Sequence, residues 1–161
     1  MIKYITYSRE GWDMDDLDIK IINIISNNAR VSHEEISRIL HISRQAIHQR
    51  IKKLEESGVI KGYKSIIDWT KLGEGTKAYI YVKVNMSNYK EDIQQYINID
   101  IPNVFIEECQ RIHGDWCIVI KVRAKSTSDI TNFIDELWKV KSTIDTSTTF
   151  ILSTIIEDDI R

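Results

Sequence analysis

Proline and glycine are scarce in this chain, with one proline, Pro102, and six glycines in 161 residues. That scarcity excludes collagen-like and mucin-like repeats and argues against a disordered chain. Cys109 and Cys117 are the only cysteines, too few for the disulfide framework of a small secreted domain. No run of 18 apolar residues exists, and the first twenty residues hold no continuous apolar segment that could serve as a signal core. No membrane partner is therefore expected, and the cytoplasm is the expected location. Formal net charge is only -2, so the total says nothing about a nucleic-acid partner. Also missing are a nucleophile constellation, a phosphate-cradling glycine loop and a metal motif, so neither catalysis nor a cofactor is expected.

What is present is uneven. Residues 30–64 carry eight Lys or Arg against four acids, a local excess of +4, whereas residues 73–161 carry ten against fourteen, or -4. The positive stretch also carries the sharpest helical patterning. From Asp15 an apolar face of Leu17, Ile21, Ile24 and Ile25 predicts a first helix, and Asp15, Asp16 and Asp18 suit its positive end. Ser32 and Glu35 form a capping box ahead of a short second helix with Ile36, Ile39 and Leu40 on its buried side. His41 and Ile42 interrupt, without the turn glycine often found there, and Ser43 is a natural cap for a third helix that should end near Ser57 and Gly58. Val59 and Ile60 close a small core, and Lys61 to Lys64 suit a turn-and-strand feature, either a wing or an extended connector.

In the third helix, Ile47, Ile51 and Leu54 fall on one side and Arg44, Gln45, His48, Gln49 and Lys52 on the other. One face can bury while the other reaches phosphates and base edges. Arg44, Gln45, His48 and Gln49 are the base-edge candidates, and Ser43 and Lys52 the phosphate candidates, on double-stranded promoter DNA. Arg50 and Lys53 lie on the flanks and could equally be solvated. The competing reading is a ligand-binding or assembly protein whose front helices meet a protein partner. A single three-helix unit covers a short DNA patch, so specific binding calls for paired copies.

Behind this unit, strand and helix signals alternate. Strands are predicted at Ala78–Val84, Val104–Ile112, Trp116–Val122 and Thr148–Ile156, and helices at Asn88–Ile97 and Ser128–Trp138. The helices' apolar sides are Ile93, Tyr96 and Ile97, and Ile130, Phe133, Ile134, Leu137 and Trp138. The order βαββαβ is ferredoxin-like. Two helices cover one sheet face only, yet Tyr79, Tyr81, Cys117 and Val119 alternate with Ile80, Val82, Ile118 and Ile120, so the uncovered face predicts a dimer. The fold expected is thus α+β: an N-terminal winged helix-turn-helix domain followed by a βαββαβ ferredoxin-like domain. The expected boundaries are an arm at 1–14, the helix-turn-helix domain at 15–62, a β-containing linker at 63–75, the oligomerisation and effector-response domain at 76–156, and a tail at 157–161.

Cys109 and Cys117 lie symmetrically about His113, so a hairpin centred there could set them opposite one another as a redox-responsive disulfide. With His113 they also offer three metal donors, without a fourth.

The front segment MDDLDIKIINIISNNARVSHEEISRILHISRQAIHQRIKKLEESGVIKGYKSIIDWTKLG and the later ECQRIHGDWCIVIKV resemble the Lrp/AsnC family of feast/famine transcriptional regulators over about residues 14–156. Asn28-Ala29-Arg30, the Ser43–Arg50 segment and Leu54 to Ile60 carry the resemblance most specifically. It implies a DNA-binding front domain, assembly as a dimer and commonly an octamer, and response to a small molecule, typically an amino acid. Carried over, the effector site falls at Ile112, His113, Gly114, Asp115 and Trp116. Family members often read Gly-Asp-aromatic-Asp at this turn, whereas this chain has Gly114-Asp115-Trp116-Cys117. A thiol does not supply the fixed charge with which a carboxylate holds an ammonium. The Pro-Gly usual before the last strand is absent too, the chain reading Val140-Lys141-Ser142-Thr143-Ile144.

Overall fold

The computed structural model describes residues 14–85 and 89–155. The expected arm at 1–14, but for Met14, and the expected tail at 157–161 lie outside the described residues, as does Asn88. The chain divides into two units between Ile66 and Ile67, inside the segment expected to link the domains.

The front unit is three helices, α1 (Asp16–Asn27), α2 (His33–Leu40) and α3 (Arg44–Glu56). Each begins at a side chain that satisfies the free amides of its first turn. The Asp15 carboxylate accepts from the Leu17 and Asp18 amides at 2.9 Å, and Asp18 accepts in return from the Asp15 amide at 3.2 Å. Ser32 and Glu35 make the expected reciprocal pair, with bonds of 3.2 and 2.9 Å, and Ser43 accepts from Ala46 at 3.2 Å. The tight turn after α2 places His41 in the left-handed region at φ 55°, a conformation histidine tolerates better than most residues, so no glycine is needed. α3 closes where Gly58 adopts φ 73° and the Ile60 amide donates to the Leu54 carbonyl at 3.0 Å. Ile21, Ile36, Ile47, Ile51 and Leu54 are buried at its centre, with Val59 and Ile60 packed beside them. Ile39 departs from expectation: it is 56% exposed, because Ile36 and Leu40 take the inward positions of this eight-residue helix.

The rear unit has β1 (Thr76–Val84), α4 (Tyr89–Ile97), β2 (Val104–Arg111), β3 (Ile118–Ala124), α5 (Thr127–Lys139) and β4 (Thr143–Phe150). The strands form one antiparallel sheet in the order β2-β3-β1-β4, the ferredoxin-like arrangement. Alternate residues Ala78, Ile80, Val82 and Val84 of β1 and Ile118, Ile120, Val122 and Ala124 of β3 are buried with Tyr96, Ile130, Phe133 and Leu137. The Tyr96 hydroxyl is satisfied inside that core, 3.1 Å from Ser142 Oγ and 2.7 Å from Thr143 Oγ1.

Several boundaries differ from expectation. The last strand runs Thr143–Phe150 rather than Thr148–Ile156, because the polar β-branched run beginning at Thr143 is tied to the core by Tyr96 and pairs with β1 from Val84 to Ala78. β3 begins at Ile118 rather than Trp116, the turn after β2 being longer than a tight hairpin. Ile97 and Trp138, expected on buried helix sides, are 43% and 49% exposed, one residue beyond Tyr96 and Leu137, which take the inward positions. The linker contains no strand: residues 61–68 are exposed and unpaired in any ladder of this chain, since a strand forms only where another lies alongside. A single 3-10 turn follows at Trp69–Leu72, capped by Asp68 and ended by Gly73 at φ 76°.

Candidate nucleic-acid interface and effector turn

The buried stripe of α3 fixes which residues it can present. With Ile47, Ile51 and Leu54 turned inward, Ser43, Arg44, Gln45, His48, Gln49 and Lys52 are all exposed. Arg44, His48 and Lys52 follow one another at spacings of four, and Gln45 and Gln49 lie on the adjoining row. Ser43 is also the helix cap, so its hydroxyl accepts from Ala46 while its exposed side faces outward. Lys52 lies 3.6 Å from Glu56, an exposed pair that DNA phosphates can displace.

Arg50 is neither a DNA candidate nor a solvated flank. Its guanidinium lies 2.8 Å from Asp15 and 2.7 Å from Asp18, whose side chain is only 5% exposed. The hydrogen bond to Asp18, outweighing its own partial burial, raises the Arg50 pKa further. The amide of Asp18 and the Arg50 guanidinium hold the Asp15 carboxyl below the usual carboxylate range. One arginine of the third helix is thus committed to holding the first helix's start. Acid-led caps and a cation on a later helix are compatible with such a pair, but its partners are set only by how the two helices pack.

Beside the stripe, α2 supplies a residue that the sequence reading passed over. His33 is half-buried with its ring centroid 5.4 Å from that of His48, tilted by 47°. The two rings stand at the edge of a half-open groove of about 580 Å³ with an apolar floor of Ile25, Val31, Ile36 and Ile51. Lys52, Glu55 and Tyr63 complete the edge. The Tyr63 hydroxyl donates to Glu55 at 2.8 Å, and burial together with that carboxylate pushes its pKa up to about 12. Tyr63 thereby docks the expected wing region, which has no strand, back onto α3.

In the rear unit, Ile112 N–H donates to the Cys117 carbonyl at 2.9 Å, closing the loop that contains His113, Gly114, Asp115 and Trp116. Gly114 has φ 141°, and His113, Gly114 and Asp115 are exposed. Ile112 and Trp116 are half-buried, Trp116 lying 6.2 Å from the Tyr81 ring. The five expected effector residues therefore form one turn with an exposed acid and a propped indole.

The cysteines do not face one another. Cys109 pairs with Ile120 while Cys117 sits opposite Ile112, three positions away or roughly 10 Å along the strand, beyond disulfide reach. Burial pushes the Cys109 thiol pKa up, away from the reactive thiolate. Among the described residues no three His, Cys, Asp or Glu side chains cluster to hold a metal, so Cys109, His113 and Cys117 form no such site.

The uncovered sheet face is less apolar than its alternation predicts. Tyr79, Tyr81 and Val119 lie toward β1, but the β2 side is charged. An extra residue in β2 lets Glu107 and Glu108 both approach Lys121 at 3.4 Å. Arg123 is buried between the Trp69 and Phe105 rings, 3.7 and 4.5 Å from their centroids, and pairs with Glu74 and Glu107. The connector's Trp69 and Glu74 are thereby fastened to the sheet.

A capped tri-helical reader and a ferredoxin-like sheet define a winged helix-turn-helix regulator, and the comparisons with known proteins agree. Residues 14–61 match the winged helix-turn-helix DNA-binding family, and residues 77–160 match the Lrp/AsnC ligand binding domain. The chain is 35% identical over 144 residues to the HTH-type transcriptional regulator FL11 of Pyrococcus horikoshii, covering 88% of this chain and 91% of that protein. It is 30% identical to Bacillus subtilis LrpC, whose structure superposes with a TM-score of 0.73 over 90% of this chain and 99% of that one. It shares the fold of a Neisseria meningitidis transcriptional regulator solved as a complex with L-Met, at 23% identity and a TM-score of 0.80 over 89% of this chain and 93% of that one. This chain belongs to the Lrp/AsnC family of transcriptional regulators. It is a DNA-binding protein rather than an enzyme. Among the described residues no helix is long and apolar enough to cross a membrane.

Proposed function

We propose that this chain controls promoters in the cytoplasm as a symmetric assembly, reading each half-site through α3. Arg44, Gln45, His48 and Gln49 meet base edges in the major groove, and Ser43 and Lys52 meet phosphates. The observation that carries this reading is the exposure of all six while Ile47, Ile51 and Leu54 turn inward and Arg50 is withheld by Asp15 and Asp18. Two copies join through Tyr79, Tyr81 and Val119 on the uncovered sheet face, and four such dimers build an octamer. A small-molecule effector is received at Ile112, His113, Gly114, Asp115 and Trp116. The L-Met complex of the Neisseria relative supports an amino acid or similar molecule, while Cys117 directs the choice toward ligands not held by a carboxylate at that position.

The test is binding of the full chain to its own promoter across a salt series. Arg44→Ala and Gln49→Ala should relax sequence preference, and Lys52→Ala should weaken all duplexes alike while reducing the salt slope by about one. Unchanged binding by all three would refute the proposed orientation.

A further inference from the structure

The groove beside α3 has a feature that reading by α3 alone leaves unused: two imidazoles side by side, one from each helix of the helix-turn-helix. We infer that His33 and His48 together grip the DNA sugar-phosphate backbone next to the bases that α3 reads, so that operator affinity rises as the pH falls. This rests on the orientation proposed above and extends the contact surface from α3 onto α2.

The chemistry around the pair favours an anion. His33 shares one groove with His48 and Lys52 and a second with Arg44, so cationic side chains stand on both sides of it. Arg44 has no ion-pair partner among the described residues. The acids that face the pair are already engaged: Glu34 of α2 with Arg38 at 3.3 Å, and Glu55 of α3 with the Tyr63 hydroxyl of the connector at 2.8 Å. α1 and the turn after it line the two grooves with Ile25, Ala29, Val31 and Ser32, none of them charged. A phosphodiester offers two non-bridging oxygens, one for each ring's N–H, and rings 5.4 Å apart can bracket a single phosphate. Imidazole is the side chain whose charge changes between about pH 5 and 8, so binding should draw protons from solution.

A phosphate contact carries no sequence information, which separates this inference from base reading: His48 gives one ring N–H to the phosphate and keeps its other ring nitrogen for the base edge. The experiment measures affinity of the full chain at fixed salt, at pH 6 and pH 8, for its own promoter duplex and a mixed-sequence duplex of equal length. The wild type should bind both about tenfold more tightly at the lower pH, in line with charge-assisted hydrogen bonds. His33→Gln should lose most of that gain on both duplexes equally and keep the wild-type sequence preference. His33→Lys, with a permanent charge in the same place, should bind tightly at both pH values. The inference is overturned if His33→Gln keeps the wild-type pH profile, or if it changes sequence preference instead. If Arg44→Ala and Gln49→Ala still relax preference in that case, base reading by α3 survives and only the paired-imidazole contact fails. If those variants are also silent, both fall together.

Discussion

Among the described residues the reader unit buries five apolar side chains, Ile21, Ile36, Ile47, Ile51 and Leu54, whereas the sheet unit buries thirteen, from Ala78 to Val140. The reader makes up the difference with polar devices at its helix ends: the Asp15–Asp18 and Ser32–Glu35 boxes, the Ser43 cap and the Arg50 pair. The sheet unit uses polar groups differently. Its Arg123 cluster binds the connector to the face opposite the apolar core, and Tyr96 anchors the start of β4. A three-helix unit that leaves one whole side of α3 exposed cannot bury much, so its stability rests on capping and on one ion pair. The sheet unit can spread a core under four strands and devote its other face to polar fastening.

The largest effect expected is in the sheet unit. Phe133→Ala removes a ring that is 0% exposed and should cost about 3–5 kcal/mol. Urea unfolding resolved by unit should show residues 76–150 losing stability while residues 16–56 keep their midpoint; loss of both together would mean that the two units do not stand on separate cores.

Next comes the reader's ion pair. Arg50→Gln leaves the buried Asp18 carboxylate without its cation and should cost about 2 kcal/mol, less than for a fully buried pair because Arg50 is 31% exposed. Its expected signature is lower thermal stability of the reader with unaltered sequence preference. Altered preference would return Arg50 to the DNA face.

Ser32→Ala should cost about 1 kcal/mol, the usual weight of a lost cap. Hydrogen exchange localised to the start of α2 would show it, and unchanged protection there would mean that the box adds nothing.

Acid and alkali should separate the units as well. Asp15, lowered first by the Asp18 amide, and Glu35, lowered first by the Ser32 amide, have folded pKa values below their unfolded ones. Their contribution is therefore present above about pH 4 and lost as the pH falls through the lowered folded values. Lys121 runs the other way: partial burial pulls its pKa down, but Glu107 and Glu108 outweigh that and hold it raised. Its contribution is present below the ordinary lysine value of about 10.4 and lost as the pH rises through the raised one. Unit-resolved thermal unfolding should show the reader softening toward acid. A reader midpoint that rises at low pH would contradict the account of its caps.

The reader was largely legible in the sequence because its signals are local. A cap at Ser32 or Ser43 and an inward stripe at Ile47, Ile51 and Leu54 are read within one helix, and the exposure of Arg44, Gln45, His48, Gln49 and Lys52 follows from that stripe. Arg50 and His33 were not legible, since each depends on a partner from another helix: Asp15 and Asp18 in one case, His48 in the other. The rear unit's order was readable from alternation, while β4 was displaced because its strand runs through polar threonines and is identified by what it pairs with. The linker strand failed for the same physical reason in reverse, an extended stretch with no neighbour in this chain. The cysteine symmetry about His113 misled because spacing alone ignores the register, which sets Cys109 against Ile120.

The central claim is that the exposed side of α3 reads sequence while the rear unit pairs the readers. Selection of bound sites from a random duplex pool by the full-length wild type and by Gln49→Ala tests both halves at once. The account predicts a two-fold symmetric motif for the wild type, with half-sites separated by about one helical turn or a multiple of it, and loss of preference at one position in each half for the variant. The same motif from both proteins, or no enriched motif from the wild type, would contradict it.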